Sequence, residues 1–325
     1  MGKDSMTNHS SARGYLYVII AACLWGTLGL WFRTLHDTYG MSSLTIAFLR
    51  AAFGCIILLI ALAVSHRQGL RISRRSIFFF ALFGLISIST FYVVYAQAAI
   101  STSVTTAVVL LYTAPTFVTL IAWRVWHESL DSRKIIAVVL AFIGCAFVAR
   151  AYDPSALSLN FVGLLFGLAA GLTYALYTIF AKLALKDHSM WTTLTYSMVF
   201  GTIFLLPLQS PSDFAVLIDR PNVWIFVGIL ILGPTLGSYI FYNAALHHVP
   251  ASNESIVATI EPVIASTIAF VFLGERLEIL QMIGGAMVIT GSLILSLPRP
   301  TPPPPSPLSQ RTTLGKGRGG EGGKR

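Results

Sequence analysis

Residues 95–150, YAQAAISTSVTTAVVLLYTAPTFVTLIAWRVWHESLDSRKIIAVVLAFIGCAFVAR, fall without a gap on residues 242–297, YNAALHHVPASNESIVATIEPVIASTIAFVFLGERLEILQMIGGAMVITGSLILSL, when the chain is slid along itself by 147 positions. Nine of the 56 positions coincide: Tyr95/Tyr242, Ala98/Ala245, Pro115/Pro262, Ile121/Ile268, Ala122/Ala269, Glu128/Glu275, Leu130/Leu277, Ile136/Ile283 and Gly144/Gly291. Identity of that size is weak in apolar sequence, but a mid-span proline, a loop glutamate and a late-span glycine recur at one offset. The same offset pairs Phe53-Gly54 and Leu58-Leu59 with Phe200-Gly201 and Leu205-Leu206, and an offset of 148 pairs Ala21, Ala22, Leu24, Leu28 and Phe32 with Ala169, Ala170, Leu172, Leu176 and Phe180. The duplication therefore covers nearly all of the apolar sequence.

Of the 325 residues, 55% are hydrophobic and 11% charged, against roughly 25% charged in an ordinary soluble domain. With a mean hydropathy of +0.74, this excludes a soluble globular enzyme and a disordered interaction protein. A membrane helix needs ~20 apolar residues. Apolar stretches bounded by charges, Gly or Pro give ten spans at about 14–35, 42–64, 76–98, 103–126, 133–150, 159–182, 190–208, 222–246, 251–273 and 279–297. The fold expected is an all-α polytopic membrane protein with five spans in each of two repeats, 14–150 and 159–297. Five is odd, so the second copy enters the membrane from the opposite side. Inverted repeats recur in secondary transporters, whose halves move about a site near the bilayer midplane.

Lys and Arg concentrate on the cytoplasmic side. The segment 1–13, the even-numbered loops and the tail hold 17 of the 22 basic residues, while the odd-numbered loops hold only Arg33, Arg150, Arg220 and Arg276. Both termini are expected in the cytoplasm. The formal charge of +9 is thus a topology signal, and no nucleic-acid partner is expected, because the basic residues are not gathered on one solvated face. Cys23, Cys55 and Cys145 lie inside apolar runs with no disulfide or metal-ligand spacing. No metal or cofactor is expected. Residues 298–325 turn to Pro, Gly and basic residues and read as a disordered extension.

Leu24-Trp25-Gly26-Thr27, Phe48-Leu49-Arg50-Ala51-Ala52-Phe53-Gly54, Tyr112-Thr113-Ala114-Pro115, Ile260-Glu261-Pro262-Val263 and Leu273-Gly274-Glu275-Arg276-Leu277 together resemble the EamA-type members of the drug/metabolite transporter superfamily. The resemblance covers about residues 14–297. It implies a ten-helix inverted-repeat carrier in a bacterial inner membrane, with a central cavity lined by spans 1–4 and 6–9; many such relatives export amino acids or other small metabolites. One departure is His127-Glu128, where the family usually has Gly-Glu, which puts the tight turn there in question.

Within the spans, Trp25, Tyr112 and Tyr174 lie deep enough to line a cavity, and Asn243 adds a polar edge. Tyr95 and Tyr242, at span ends, read as interfacial anchors. Arg50 is ~12 Å from the nearer membrane face at 1.5 Å per residue. A charge there costs at least ~2.5 kcal/mol, so it either snorkels or bonds a carbonyl, or it meets an anionic substrate group. Glu261 lies ~15 Å deep, and its protonation is set by desolvation against the charge of Arg50. It is either a proton-coupling carboxylate or a permanently neutral acid bonded to a neighbouring helix. Glu254, almost two turns earlier, either relays that proton or is an exposed interfacial carboxylate. Pro115 and Pro262 read as gating bends or fixed kinks, with Gly233-Pro234 a third break. Gly163, Gly167 and Gly171 read as a close helix contact. Glu128 and Glu275 read as helix-end caps.

The expected function is secondary active transport, as an exporter of small metabolites such as amino acids, with the lipid bilayer and protons as further partners. A multidrug exporter of cationic amphiphiles is the alternative within transporters. A non-transporting scaffold or an intramembrane enzyme is the alternative outside them, although His127-Glu128-Ser129-Leu130-Asp131 lacks the second histidine of a zinc-protease helix, and no Gly-rich phosphate loop is present.

Overall fold

The computed structural model describes residues 3–65, 67–155, 157, 160–274 and 276–297. The readings of Glu275 and of the 298–325 tail lie outside those residues. Regular structure in the described residues is helical throughout, as hydrocarbon demands of an open chain that must satisfy its own backbone groups.

Among the described residues nine helical stretches are long and apolar enough to cross a bilayer: Ser11–Tyr39, Ser43–Ser65, Arg74–Ser101, Val104–Trp126, Phe161–Ala184, Met190–Leu208, Val223–Ala245, Ala251–Phe272 and Ile279–Ser296. They are spans 1–4 and 6–10. Span 5 is Ser132–Val148, whose 17 residues reach ~26 Å; its counterpart in the second repeat is span 10. Local chemistry sets the starts. The side chains of Ser73, Ser103, Asp131, Asn160 and Ser189 each accept a backbone N–H from the first turn of spans 3, 4, 5, 6 and 7.

The helix pairs obey the repeat. Spans 5 and 10 pack together, as do 2 and 7; span 3 packs on span 6 while its counterpart, span 8, packs on span 1. Exchanging the two halves leaves this set unchanged. Spans 5 and 10 touch through glycine: a Cβ on Gly144 would sit 2.7 Å from the Gly284 carbonyl oxygen, and one on Gly291 would sit 3.0 Å from that of Ala137. These contacts are one another's images, since 137 pairs with 284 and 144 with 291 at the offset of 147. Such close approach is how helices gain packing without a hydrophobic drive.

The spans are interrupted at matched places. Span 4 breaks at Tyr112-Thr113 and restarts at Ala114; span 9 breaks at Thr259-Ile260 and restarts at Glu261. Pro115 and Pro262 therefore stand in the first turn of a new helix, where a missing N–H costs nothing, and not at bends of continuous ones. Spans 3 and 8 widen into π-helical turns at Leu85–Thr90 and Ile231–Gly237. Gly233-Pro234 is thus no break: the helix absorbs the proline in a wide turn. Span 1 has a break of its own at Thr27.

The turn after span 4 keeps its left-handed geometry although histidine occupies it. His127 has φ 53°, and Gly274, 147 residues on, has φ 68°.

Candidate functional site

The two halves enclose polar side chains at the level of the breaks. Arg50 of span 2 is 4% exposed, which rules out snorkelling. Its Nε donates to Thr235 Oγ1 at 2.9 Å, and that hydroxyl donates to the Leu230 carbonyl at 2.8 Å, five residues back across the wide turn of span 8. The guanidinium carbon lies 5.6 Å from the Phe32 ring centre and 5.8 Å from that of Tyr92, at cation–π range. Among the described residues no carboxylate forms an ion pair with it, and its terminal nitrogens have no hydrogen-bond acceptor.

Glu261 opens the second helix of span 9. Its carboxylate accepts no hydrogen bond and forms no ion pair among the described residues, so it is not bonded to a neighbouring helix. Arg50 and Glu261, one from each repeat, thus both stand within the membrane spans with no ion-pair partner among the described residues.

Aromatic rings of both repeats pack against one another in the interior. Trp25, next to the break in span 1, meets Tyr239 edge-on at 5.6 Å and Tyr242 at 5.0 Å. Tyr174 lies 5.5 Å from Phe91, which stacks on Tyr95 at 6.0 Å. Tyr112 packs with Cys145 and Val288, between span 4 and the span 5–span 10 pair. The anchor reading of Tyr242 fails, because the side chain is buried and its hydroxyl shares a 2.7 Å hydrogen bond with Thr178. Tyr95 is half-buried, its ring stacked on Phe91. Asn243 is fully buried; its amide donates to Tyr177 Oη and to the Tyr239 carbonyl, both at 2.8 Å, so it meets the site through the tyrosines. Phe32, Tyr92 and Thr235 were not singled out from sequence. The one signal for Thr235 was its place after Gly233-Pro234.

Gly163, Gly167 and Gly171 lie against the turn before span 4 and against span 4 itself. Added Cβ atoms would fall 2.3 Å from Thr102, 2.3 Å from Leu110 and 2.4 Å from Thr113.

Toward the Glu128 end the interior is closed. Span 9's first helix, Ala251–Ala258, is almost wholly buried and packs on Ala114–Trp126 of span 4. Of the helix beyond the break, Pro262 alone is buried among the described side chains. Glu128 does cap a helix end, but that of another span. Its carboxylate accepts from the Ala251 N–H at 3.1 Å, from the Ser252 N–H at 3.4 Å and from the Ser252 hydroxyl. It also binds Lys182 Nζ of span 6 at 3.0 Å and Lys134 Nζ of span 5 at 3.5 Å, and Lys182 sits 4.8 Å over the Trp126 ring. Burial raises the Glu128 pKa, but the Ser252 hydroxyl and the two ammonium groups outweigh it and hold the carboxyl below its ordinary value. Lys134 is buried in this cluster. Tyr15 Oη donates to the Leu295 carbonyl and accepts from Asn253 Nδ2, both at 2.8 Å, joining the starts of spans 1 and 9 to the end of span 10.

Glu254 lies between the closed end and the cavity. It is fully buried, not interfacial, and neither carboxylate oxygen has a hydrogen-bond partner.

The model of the EamA-like transporter family matches this chain twice, at residues 12–150 and 161–297. A relative from Archaeoglobus fulgidus, named an uncharacterized transporter, is 29% identical over 282 residues, covering 86% of this chain and 95% of its own. YicL of Salmonella typhimurium, named an uncharacterized inner membrane transporter, is 22% identical over 295 residues, covering 89% and 96%. A solved structure at 15% identity superposes with a TM-score of 0.74 over 92% of this chain and 98% of the other, a likeness of fold. With ten spans in two inverted five-helix repeats and a family match to each repeat, this chain belongs to the EamA-like transporter family, multi-pass membrane proteins that move small molecules across the bilayer.

Proposed function

We propose that the chain is a secondary active exporter of amino acids or zwitterionic metabolites of similar size, working by alternating access in an inner membrane with both termini in the cytoplasm. The observation that carries this reading is that Arg50 and Glu261, one in each repeat and both within the spans, have no ion-pair partner among the described residues. A guanidinium with free terminal donors binds a carboxylate in a fork, while Glu261 binds either the substrate's ammonium group or a proton. Competition for that one carboxylate couples efflux to proton entry. Trp25, Phe32, Tyr92, Tyr112, Tyr174 and Tyr239 supply apolar walls and cation–π faces, and Asn243 positions Tyr177. A cationic amphiphile without a carboxylate would leave Arg50 uncompensated, which disfavours the multidrug alternative. Glu254 stands between Glu261 and the Glu128 end as a relay for the proton. The helix breaks beside Pro115 and Pro262 are the hinges, and the Glu128 cluster is the cytoplasmic latch. In this reading the described state is closed toward the cytoplasm, and Gly163, Gly167 and Gly171 are packing residues that hold span 6 on span 4.

The test is counterflow of labelled amino acids in proteoliposomes containing the full chain. Glu261→Gln mimics the protonated acid, so the variant is expected to exchange substrate while losing accumulation driven by a pH gradient. Unchanged gradient-driven transport rejects the proton role, and absence of counterflow with every amino acid rejects the substrate class.

A further inference from the structure

Away from the central cavity, at the Glu128 end, the turn 67–73 and the turn 185–189 wall a hollow of about 990 Å³ between spans 2, 3, 6 and 7. Arg71, Arg75 and Lys186 line it, with Asp187 the one acid and His188 at its edge. Neither arginine has an ion-pair or hydrogen-bond partner among the described residues, and Lys186 touches only the Trp126 ring, at 5.9 Å. Two long helices begin in its wall, at Arg74 and Met190. Ser73 and Ser189 cap one N–H each, of Ser76 and Thr192, and the N–H groups of Arg74, Arg75, Met190 and Trp191 have no backbone acceptor. Each such terminus carries roughly half a positive charge.

The walls are fixed in advance. Thr192 Oγ1 donates to the Gly69 carbonyl at 3.3 Å, Tyr196 Oη donates to the Leu70 carbonyl at 2.8 Å, and His188 Nε2 lies 3.0 Å from Ser76 Oγ. The space is many times larger than an inorganic phosphate. It opens where the spans meet the bilayer surface, beside Ile77 and Phe78, whose side chains are exposed on the next turn of span 3. A basic basin at the end of an apolar ledge matches an acidic amphiphile. We propose that this hollow binds a phosphate-bearing anion, presented by the headgroup of an acidic phospholipid. The inference does not depend on what the transporter carries, and its test needs no substrate.

The full-length protein, purified in a neutral detergent, is titrated with phosphatidylglycerol and, separately, with phosphatidylcholine, and bound lipid is read by native mass spectrometry. A third arm follows the thermal midpoint with inorganic phosphate alone. The variant removes the lining charges together: Arg71→Gln, Arg75→Gln and Lys186→Gln. A control removes as many basic charges away from the hollow: Arg13→Gln, Arg33→Gln and Arg124→Gln. Each basic group near a membrane surface is worth about fivefold in binding. The lining variant should therefore lose about a hundredfold in phosphatidylglycerol affinity and the control far less. The double Arg71→Lys, Arg75→Lys, which keeps the charge, should retain binding; an equal loss there with a lowered midpoint overturns the site in favour of a structural role. Phosphate protection that the lining variant abolishes supports the site with a soluble anion as its source. Equal losses in the lining variant and the control, or no preference for phosphatidylglycerol, overturn the proposal.

Discussion

Replacing Glu128 by Gln should open the closed end of the transporter. The two carboxylate oxygens accept separately from the Ala251 N–H and from the Ser252 N–H and hydroxyl, so the single amide oxygen keeps only one side of a cap worth about 1 kcal/mol. The charge is lost. Lys134 is 3% exposed and pairs with Glu128 at 3.5 Å, and breaking a buried pair costs ~3–5 kcal/mol. Glu128 keeps some contact with solvent, which lowers the figure to about 3 kcal/mol. The latch is built only in the state closed at this end, so that loss falls on one side of the conformational equilibrium. At ~1.4 kcal/mol per decade it multiplies the open population about a hundredfold. Ser255, 8% exposed on the helix that the latch holds down, reports the change. In a background lacking Cys23, Cys55 and Cys145, Ser255→Cys should react with a maleimide about a hundredfold faster when Glu128→Gln is added, because labelling follows the population of the open form. A cysteine at Ser266, beyond the break, should not accelerate. Unchanged Ser255→Cys labelling in a folded variant refutes the latch, and equal acceleration at both positions marks global loosening. Because the Glu128 pKa is lowered, the latch is ionised and intact above the ordinary carboxylate range and is lost only as pH falls through that lowered value. With Glu128 in place, Ser255→Cys labelling, divided by the rate of a free thiol at the same pH to remove the thiolate fraction, should therefore be flat from about pH 5 to pH 8.

Arg50→Gln should reach the membrane in near-normal amounts yet transport little, and Arg50→Lys should fail too, because it keeps the charge but loses the fork; expression falling in step with activity refutes a substrate role. Gly167→Ala places a methyl 2.3 Å from Leu110 and should cost about 1–3 kcal/mol, seen as a lower thermal midpoint; an unchanged midpoint means that the packing yields. His127→Gly should raise the midpoint slightly, since a left-handed residue with a Cβ costs roughly 1–2 kcal/mol, partly offset by glycine's entropy, whereas Gly274→Ala should lower it. A midpoint that falls for His127→Gly refutes strain at that turn.

The offset of 147 made the architecture legible before any helix was seen, because each half had to bury the same faces by the same contacts. It also marked the breaks: Tyr112-Thr113 and Thr259-Ile260 stand at that offset, just before the prolines that cannot join the preceding helix. Depth alone drew attention to Arg50 and Glu261. What sequence hid was long-range closure. Glu254, four residues into span 9, looked interfacial; it is enclosed because span 4 and the Glu128 cluster cover the start of that span. Tyr242 read as an anchor because a span end was taken for the membrane surface, while the helices around it run further. Wide turns leave hydropathy unchanged, so Thr235 gave no sign of holding Arg50.

Those wide turns also record how the chain arose. A π-helical turn holds one residue more than the helix around it and rotates everything beyond it. Leu85–Thr90 and Ile231–Gly237 carry that extra residue at nearly the same distance from the start of each half, in sequences that share almost nothing there. A single insertion in an ancestral five-helix unit, copied when its gene doubled, accounts for both; two separate insertions at matched sites would each have had to survive a rotated, misfitting helix. In the present chain only the turn of the second copy holds Arg50, through Thr235, so matched wide turns serve the two halves differently.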